Sequence, residues 1–261
     1  MQVNQAGESI DVSEPHPPEL GELRSDIAAL ADTERAQRNA RFFKTGPGEY
    51  GEGDRFAGLT LSQVHALRRK YRHLSLASLS DLLQSPIHEE RLLALDILVD
   101  QYTKGDPEVR QAIYELYLGS TRWVNNWDLV DCSAAYIVGA HLQSKPQDVL
   151  DRLAASESLW ERRIAMIATH YYIRRGDPGP ALRIAEALLQ DRHDLIHKAA
   201  GWMLRETGKR CSKNDLTAFL DKYAATMPRT MLRYAIEQLP REEQQHYLAL
   251  KAQLKAARST A

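Results

Sequence analysis

Cysteine is scarce. Among 261 residues there are two, Cys132 and Cys211, and neither sits in a CxxC pair or at a spacing that suits a metal knuckle. A disulfide framework is thereby excluded and a reducing, cytoplasmic setting is expected. Long apolar runs are missing as well: none approaches the roughly 18 residues of a membrane span, and no charged-then-apolar leader opens the chain. The nine His include no HExxH motif, so no metal site is expected. No Walker loop, dinucleotide fingerprint or nucleophile elbow occurs, and no cofactor is expected. The Gly-rich stretch 46–53 carries Glu49 and Glu52, the wrong charge for cradling phosphate. Alternating strand patterns are absent, which argues against any sheet-based fold. Net charge is close to zero, −1, a poor first sign for a nucleic-acid binder.

The charge is uneven, however. Residues 1–60 hold 11 acidic and 6 basic side chains, whereas residues 61–261 hold 28 basic and 24 acidic. Residues 1–20 are acidic, carry three Pro and show no period, so a disordered tail is expected. "ELRSDIAALAD" has a helical pattern, and 44–54, "KTGPGEYGEGD", is a loop by its five Gly or Pro. From residue 61 helix follows helix, over 61–73, 77–84, 87–103, 107–119, 126–143, 146–155, 158–175, 178–190, 193–208, 213–225, 227–238 and 240–257. Asp106 and Ser144 are placed as N-caps just ahead of Pro. Helix pairs recurring at about 35–40 residues point to an all-α fold, a HEAT-like α-solenoid filling one domain over 21–257, with a short tail at 258–261. A non-repeating helical bundle is the plainer alternative.

Four stretches carry chemistry-bearing residues. In "RWVNNWDLVDCSAAYIV", 122–138, Asn125 or Asn126 can cap a helix starting near Trp127, and Asp128 suits its first turn. Asp131 falls on the inward stripe with Trp127, Ala134 and Val138, and a desolvated carboxylate is costly unless paired or used. The plainer reading is a buried Asp bonded to a helix end or an Arg. "SLWERRIAMIATHYYIRR", 158–175, sets Arg162 and Arg163 beside Trp160, where either can pair with an acid or reach a phosphate. "DLIHKAAGWMLRETGKR", 194–210, puts Lys198, Trp202 and Arg205 on one helix face, a basic–aromatic–basic row suited to a phosphate backbone. A core Trp flanked by two snorkelling cations is the alternative. "MPRTMLRYAIE" adds Arg229 and Arg233 at i, i+4, and "LRRKYR", 67–72, is a solvated basic face.

"WVNNWDLVD", "LWERRIAMI", "HKAAGWMLRE" and "MPRTMLRYAIE", in this order and spread over about residues 38–245, resemble the DNA alkylation-repair proteins of the AlkD type. The resemblance implies a HEAT-like helical solenoid. It also implies a DNA glycosylase for N7-alkylguanine and N3-alkyladenine in double-stranded DNA, without metal or cofactor; a monomer is expected from the size of the solenoid. The family's concave-face set matches Trp127, Asp131, Arg163 and Trp202, with Arg163 preferred over Arg162 because it stands three after Trp160. On that resemblance two indoles stabilise oxocarbenium charge on the sugar, Asp131 orients the attacking water, and Arg163 holds a neighbouring phosphate or orients Asp131. Lys198, Arg205, Arg229, Arg233 and Arg162 are the remaining candidates for DNA contact.

One segment departs from the pattern. Where better-known members place a short DNA-contacting helix, this chain has "FFKTGPGEYGEGDRFAGLT", 42–60, whose Gly and Pro disfavour a helix. The chain thus resembles a variant branch, and the acids of this loop are expected to turn it away from phosphate. Two competing functions remain beside the glycosylase: a non-catalytic binder of damaged or irregular DNA, and a helical scaffold for protein partners.

Overall fold

The computed structural model describes residues 18–259. Among them the regular structure is helical: α1 (Pro18–Leu30), α2 (Thr33–Phe42), α3 (Leu61–Tyr71), α4 (Leu76–Leu83), α5 (His88–Lys104), α6 (Pro107–Gly119), α7 (Trp127–Asp131), α8 (Asp148–Ala154), α9 (Leu159–Ala168), α10 (His170–Ile173), α11 (Gly179–Ala187), α12 (Asp194–Arg210), α13 (Lys213–Tyr223), α14 (Arg229–Ala235) and α15 (Arg241–Ser259). A 3₁₀ turn, Thr121–Trp123, precedes α7, and a π-helical stretch, Ala135–Gly139, follows it.

Local chemistry sets the starts of these helices. Thr60 and Gln63 form a reciprocal capping box on α3. Ser75, Asp106, Ser158 and Ser212 each accept a backbone N–H in the first turn of α4, α6, α9 and α13. Asp106 caps ahead of Pro107 as its spacing predicts. Ser144 does not cap: α8 begins only at Asp148, after Gln147, which makes no side-chain cap bond. The tail expected over 1–20 lies outside the described residues up to 17, while Pro18 to Leu20 already belong to α1 and Leu20 is fully buried. The tail expected over 258–261 starts inside α15, and residues 260–261 are outside the described part.

The helices pack in two rows. α5, the π-helical stretch or α7, α9, α12 and α14 touch in succession and form one row. α4, α6, α8, α11 and α13 back it, with α4 on α5, α8 on α9, and α11 and α13 on α12. Each pair buries an apolar seam of Leu, Ile, Met and Ala in a continuous core. This is an all-α, solenoid-like architecture. Two glycines set how closely the front row packs. A Cβ on Gly139 would meet the Ala168 carbonyl at 2.2 Å, and one on Gly201 would meet the Met231 carbonyl at 2.5 Å. These contacts bring the π-helical stretch onto α9 and α14 onto α12, so the front row presents its side chains side by side.

The long helix expected over 126–143 is broken. Cys132 caps α7 and the turn at 132–133 passes into the widened π-helical stretch. Ser133 bonds the Leu129 carbonyl and lies 3.0 Å from the Tyr117 hydroxyl, which satisfies the buried polar atoms at the break.

Candidate active site

Four of the front-row helices place side chains around one cleft of about 450 Å³. α7 supplies Trp127 and Asp131, α9 supplies Arg163, α12 supplies Lys198, Trp202 and Arg205, and α14 supplies Tyr234. Four expected site residues and two expected DNA contacts therefore meet there. Asn126 caps α7, its side chain accepting the Trp127 N–H at 2.9 Å, which fixes the start of that short helix.

Asp131 is paired with the arginine of the WxxR spacing. Arg163 Nε donates to Oδ1 at 3.0 Å and Nη2 to Oδ2 at 2.8 Å, a bidentate fork. Its Nη1 donates to the Leu195 carbonyl at 2.6 Å, so the guanidinium is fixed on two sides. The Asp131 side chain is 19% exposed and that of Arg163 is 6% exposed. Burial pushes the Asp131 carboxyl above the ordinary aspartate range, and the guanidinium opposes but does not cancel that shift. The site thus holds a carboxylate of enhanced basicity, oriented from behind and open on the cleft side.

Lys198 and Arg205 line the cleft with their charges engaged. Lys198 pairs with Asp194 at 2.8 Å. Arg205 pairs with Glu237 and lies near Glu206. Arg162 points elsewhere: its Nε meets Asp191 at 2.6 Å and its Nη1 bonds the carbonyls of Ser156 and Glu157. Arg229 and Arg233 are exposed on α14 and do not line the cleft; Arg229 bonds the Leu248 carbonyl. Trp202 faces the cleft with His170 at 5.7 Å behind it.

The loop after α2 closes the opposite wall with aromatic side chains that no sequence pattern marks. Phe43 stacks on Trp127, with centroids 5.3 Å apart and planes at 15°, and Phe42 meets the same indole edge-on at 5.9 Å. Tyr50 lines the cleft and approaches Trp160 at 6.0 Å. No helix forms over 44–60, as the Gly and Pro content predicts, yet the loop is turned onto the cleft rather than away from it. Its acids are spent internally. Glu49 and Glu52 accept the amides of Gly46 and Gly48, and Asp54 is buried.

Asp54 is the loop's anchor. His88 Nδ1 lies 3.0 Å from it and Arg91 Nη2 2.6 Å, while His88 Nε2 reaches Asp128 at 2.8 Å. The first turn of α5 grips further: Glu89 accepts the amides of Ala57, Gly58 and Leu59. Burial alone would lower the His88 pKa, but the two carboxylates override it and raise the imidazolium to about 9. Asp128, read as a first-turn acid, serves this network too. The only sequence signal was the string "HEER" at a helix start, where acids are common for dipole reasons.

His193 and His197 stand four apart, a spacing that could suggest a metal site. Here His193 Nδ1 accepts the Leu195 N–H and His197 Nε2 bonds the Asp191 carbonyl. No group of three or more potential ligands converges among the described residues, and no helix among them is long and apolar enough to cross a membrane.

A sequence profile described as DNA alkylation repair enzyme matches residues 23–239. The chain belongs to the DNA alkylation repair enzyme family. Its role accordingly lies in DNA alkylation repair. A solved structure described as a predicted DNA alkylation repair enzyme from Enterococcus faecalis superposes with a TM-score of 0.62 at 16% identity, covering 81% of this chain and 98% of that one. At that identity the likeness establishes the shared fold. No curated protein matches the sequence. For this alkylation-repair family member, the cleft between α7 and α14 is the candidate active site.

Proposed function

We propose that this protein is a DNA glycosylase that hydrolyses the N-glycosidic bond of cationic alkylated purines, N7-alkylguanine and N3-alkyladenine, in duplex DNA. The observation that carries the proposal is the Asp131 carboxylate, held bidentately by Arg163 in a cleft walled by Trp127 and Trp202. A cationic purine is a good leaving group, so the reaction needs help chiefly at the sugar. As the C1′–N bond breaks, its electron pair leaves with the base, which becomes neutral. Positive charge then grows on the deoxyribose. An indole face stabilises such charge by about 0.5–2 kcal/mol, and Asp131 adds a full negative charge in a water-poor setting. Water bonds to C1′ and passes a proton to the Asp131 carboxylate, whose raised pKa makes it the better base.

Arg163 is assigned the orienting role, because three of its donors are already committed to Asp131 and Leu195. Phosphate contact is assigned chiefly to the exposed Arg229 and Arg233 beside the cleft, because Lys198 and Arg205 are already paired with Asp194 and Glu237. The repeats would be of HEAT type and the protein a cytoplasmic monomer needing neither metal nor cofactor. Incubating methylated duplex DNA with the protein and resolving released bases by chromatography tests the proposal: free N7-methylguanine above spontaneous depurination is expected.

A second reading is favoured by one observation. Phe43 covers a face of Trp127, leaving that indole less open to a sugar. On this reading the protein binds damaged or irregular DNA without excising a base. Binding with no base released in the same incubation would select it.

A further inference from the structure

A second cleft lies at the far ends of the same front-row helices. It has a volume of about 930 Å³. It is bounded by the last turn of α5, the start of α6, the residues after the π-helical stretch and the end of α10. Fourteen residues along α5 separate Tyr102 here from His88 behind the candidate active site, about 21 Å at the helical rise. Four cations line it: Arg110, Lys145, Arg174 and Arg175. No carboxylate lines it, and none of the four has an ion-pair partner among the described residues.

Neutral groups aim these charges instead. Lys145 Nζ donates to His141 Nε2 at 2.5 Å and to the Gln111 side chain at 3.1 Å. An ammonium has only donors, so Nε2 must accept and the His141 proton sits on Nδ1, directed at the Tyr102 oxygen 3.3 Å away. Burial and the Lys145 charge lower the His141 pKa, which keeps that acceptor neutral. His141 is itself buried and stacked on Tyr114 with ring centroids 3.9 Å apart. Arg110 donates to the carbonyls of Tyr102 and Thr103, Arg175 to that of Tyr171, and Arg174 to the Tyr136 hydroxyl. A helix C-terminus as a whole carries only about half a negative charge, so its carbonyls orient cations without neutralising four of them. Four like charges gathered in one concavity without counter-charge repel one another, and that cost is recovered when an anion enters.

We propose that this second cleft is a binding site for a ligand carrying two or more phosphate groups, with Lys145 and Arg174 as its principal contacts. The phosphates could come from a free polyphosphate or from a nucleic-acid strand that reaches beyond the first cleft, and the two sources share this chemistry. The proposal does not depend on excision at Asp131.

The test uses the full chain at low salt, with tripolyphosphate titrated calorimetrically and a fluorescent duplex oligonucleotide titrated by anisotropy. Wild type is compared with the double variant Lys145→Ala/Arg174→Ala, with Lys145→Ala alone, and with Lys198→Ala as the first-cleft control. All the substituted side chains lie at the surface or are half-exposed, and circular dichroism checks that helix content is kept. The expected result is one tripolyphosphate per chain, bound about tenfold or more weakly by the double variant and unchanged in Lys198→Ala. If duplex affinity falls in parallel, the strand is the source; if it does not, a free polyphosphate is. Absence of tripolyphosphate binding by wild type, or equal binding by the double variant, overturns the proposal.

Discussion

The two clefts at opposite ends of the front row each gather cations and treat them oppositely. In the first, Arg163, Lys198 and Arg205 all have carboxylate partners, Asp131, Asp194 and Glu237. In the second, Arg110, Lys145, Arg174 and Arg175 line a wall with no carboxylate. A cation already paired has little left to give a phosphate, yet it can hold its partner acid in place. The first cleft is therefore organised around an oriented carboxylate and the second around unspent positive charge. Spacing along a helix detects either arrangement equally well; only the partners distinguish them.

The comparison can be broken most forcibly at the loop anchor, which shapes the first cleft alone. Replacing His88 by Ala would leave the buried Asp54 side chain and the partly buried Asp128 with one cation fewer. A loss of about 3–5 kcal/mol in unfolding free energy is expected from denaturant titration. At protein concentrations and temperatures where the variant stays folded, tripolyphosphate binding at the second cleft should be kept. A variant as stable as wild type would remove the anchor from the account.

The same anchor should show in pH. The His88 pKa is raised in the fold to about 9 from an ordinary 6.5. Its contribution to stability is thus complete below about 6.5 and is lost as pH rises through about 9, worth on the order of 3 kcal/mol. Melting temperature should fall across that window in wild type, and a His88→Gln variant should show a flatter profile.

Arg163→Lys keeps the charge beside Asp131 but not the fork. If orientation is what Arg163 supplies, excision should drop by roughly 10–100-fold with DNA affinity little changed. A matching loss of affinity would instead make it a phosphate contact. The smallest effect is expected from Lys198→Ala, because Asp194 already neutralises that charge: less than about threefold in duplex affinity at moderate salt. A tenfold loss there would erase the contrast drawn between the clefts.

Much of this was legible in the sequence, for physical reasons that also mark where legibility stopped. The helices from Leu61 onward bury apolar stripes at three and four, and their observed ends lie within a few residues of the periodic pattern except over 126–143 and 158–175, which are broken after Asp131 and at Thr169. α2 was missed because it buries none of its residues and so has no stripe. The break after Asp131 was missed because a π-helical turn keeps the composition of a helix while shifting its phase. Asp131 announced itself as a carboxylate on an apolar face. Its arginine was legible through WxxR and the family resemblance, not through composition. Phe43, Tyr50 and Tyr234 were invisible, since a Gly-rich loop has no period and a helix-face Tyr looks like any other. The pairing of Lys198 with Asp194 lay in plain view at i, i+4, but the choice between a partner acid and a phosphate is made by geometry.

The most direct measurement is a single-turnover assay on a duplex with one N7-methylguanine, wild type beside Asp131→Asn, scored by alkaline cleavage against spontaneous depurination. The account predicts release by wild type, and a fall of at least about 10²-fold in the variant with binding retained. Equal release by the two proteins would contradict the role given to Asp131, and no release by wild type despite binding would leave a DNA-binding protein whose carboxylate only holds Arg163.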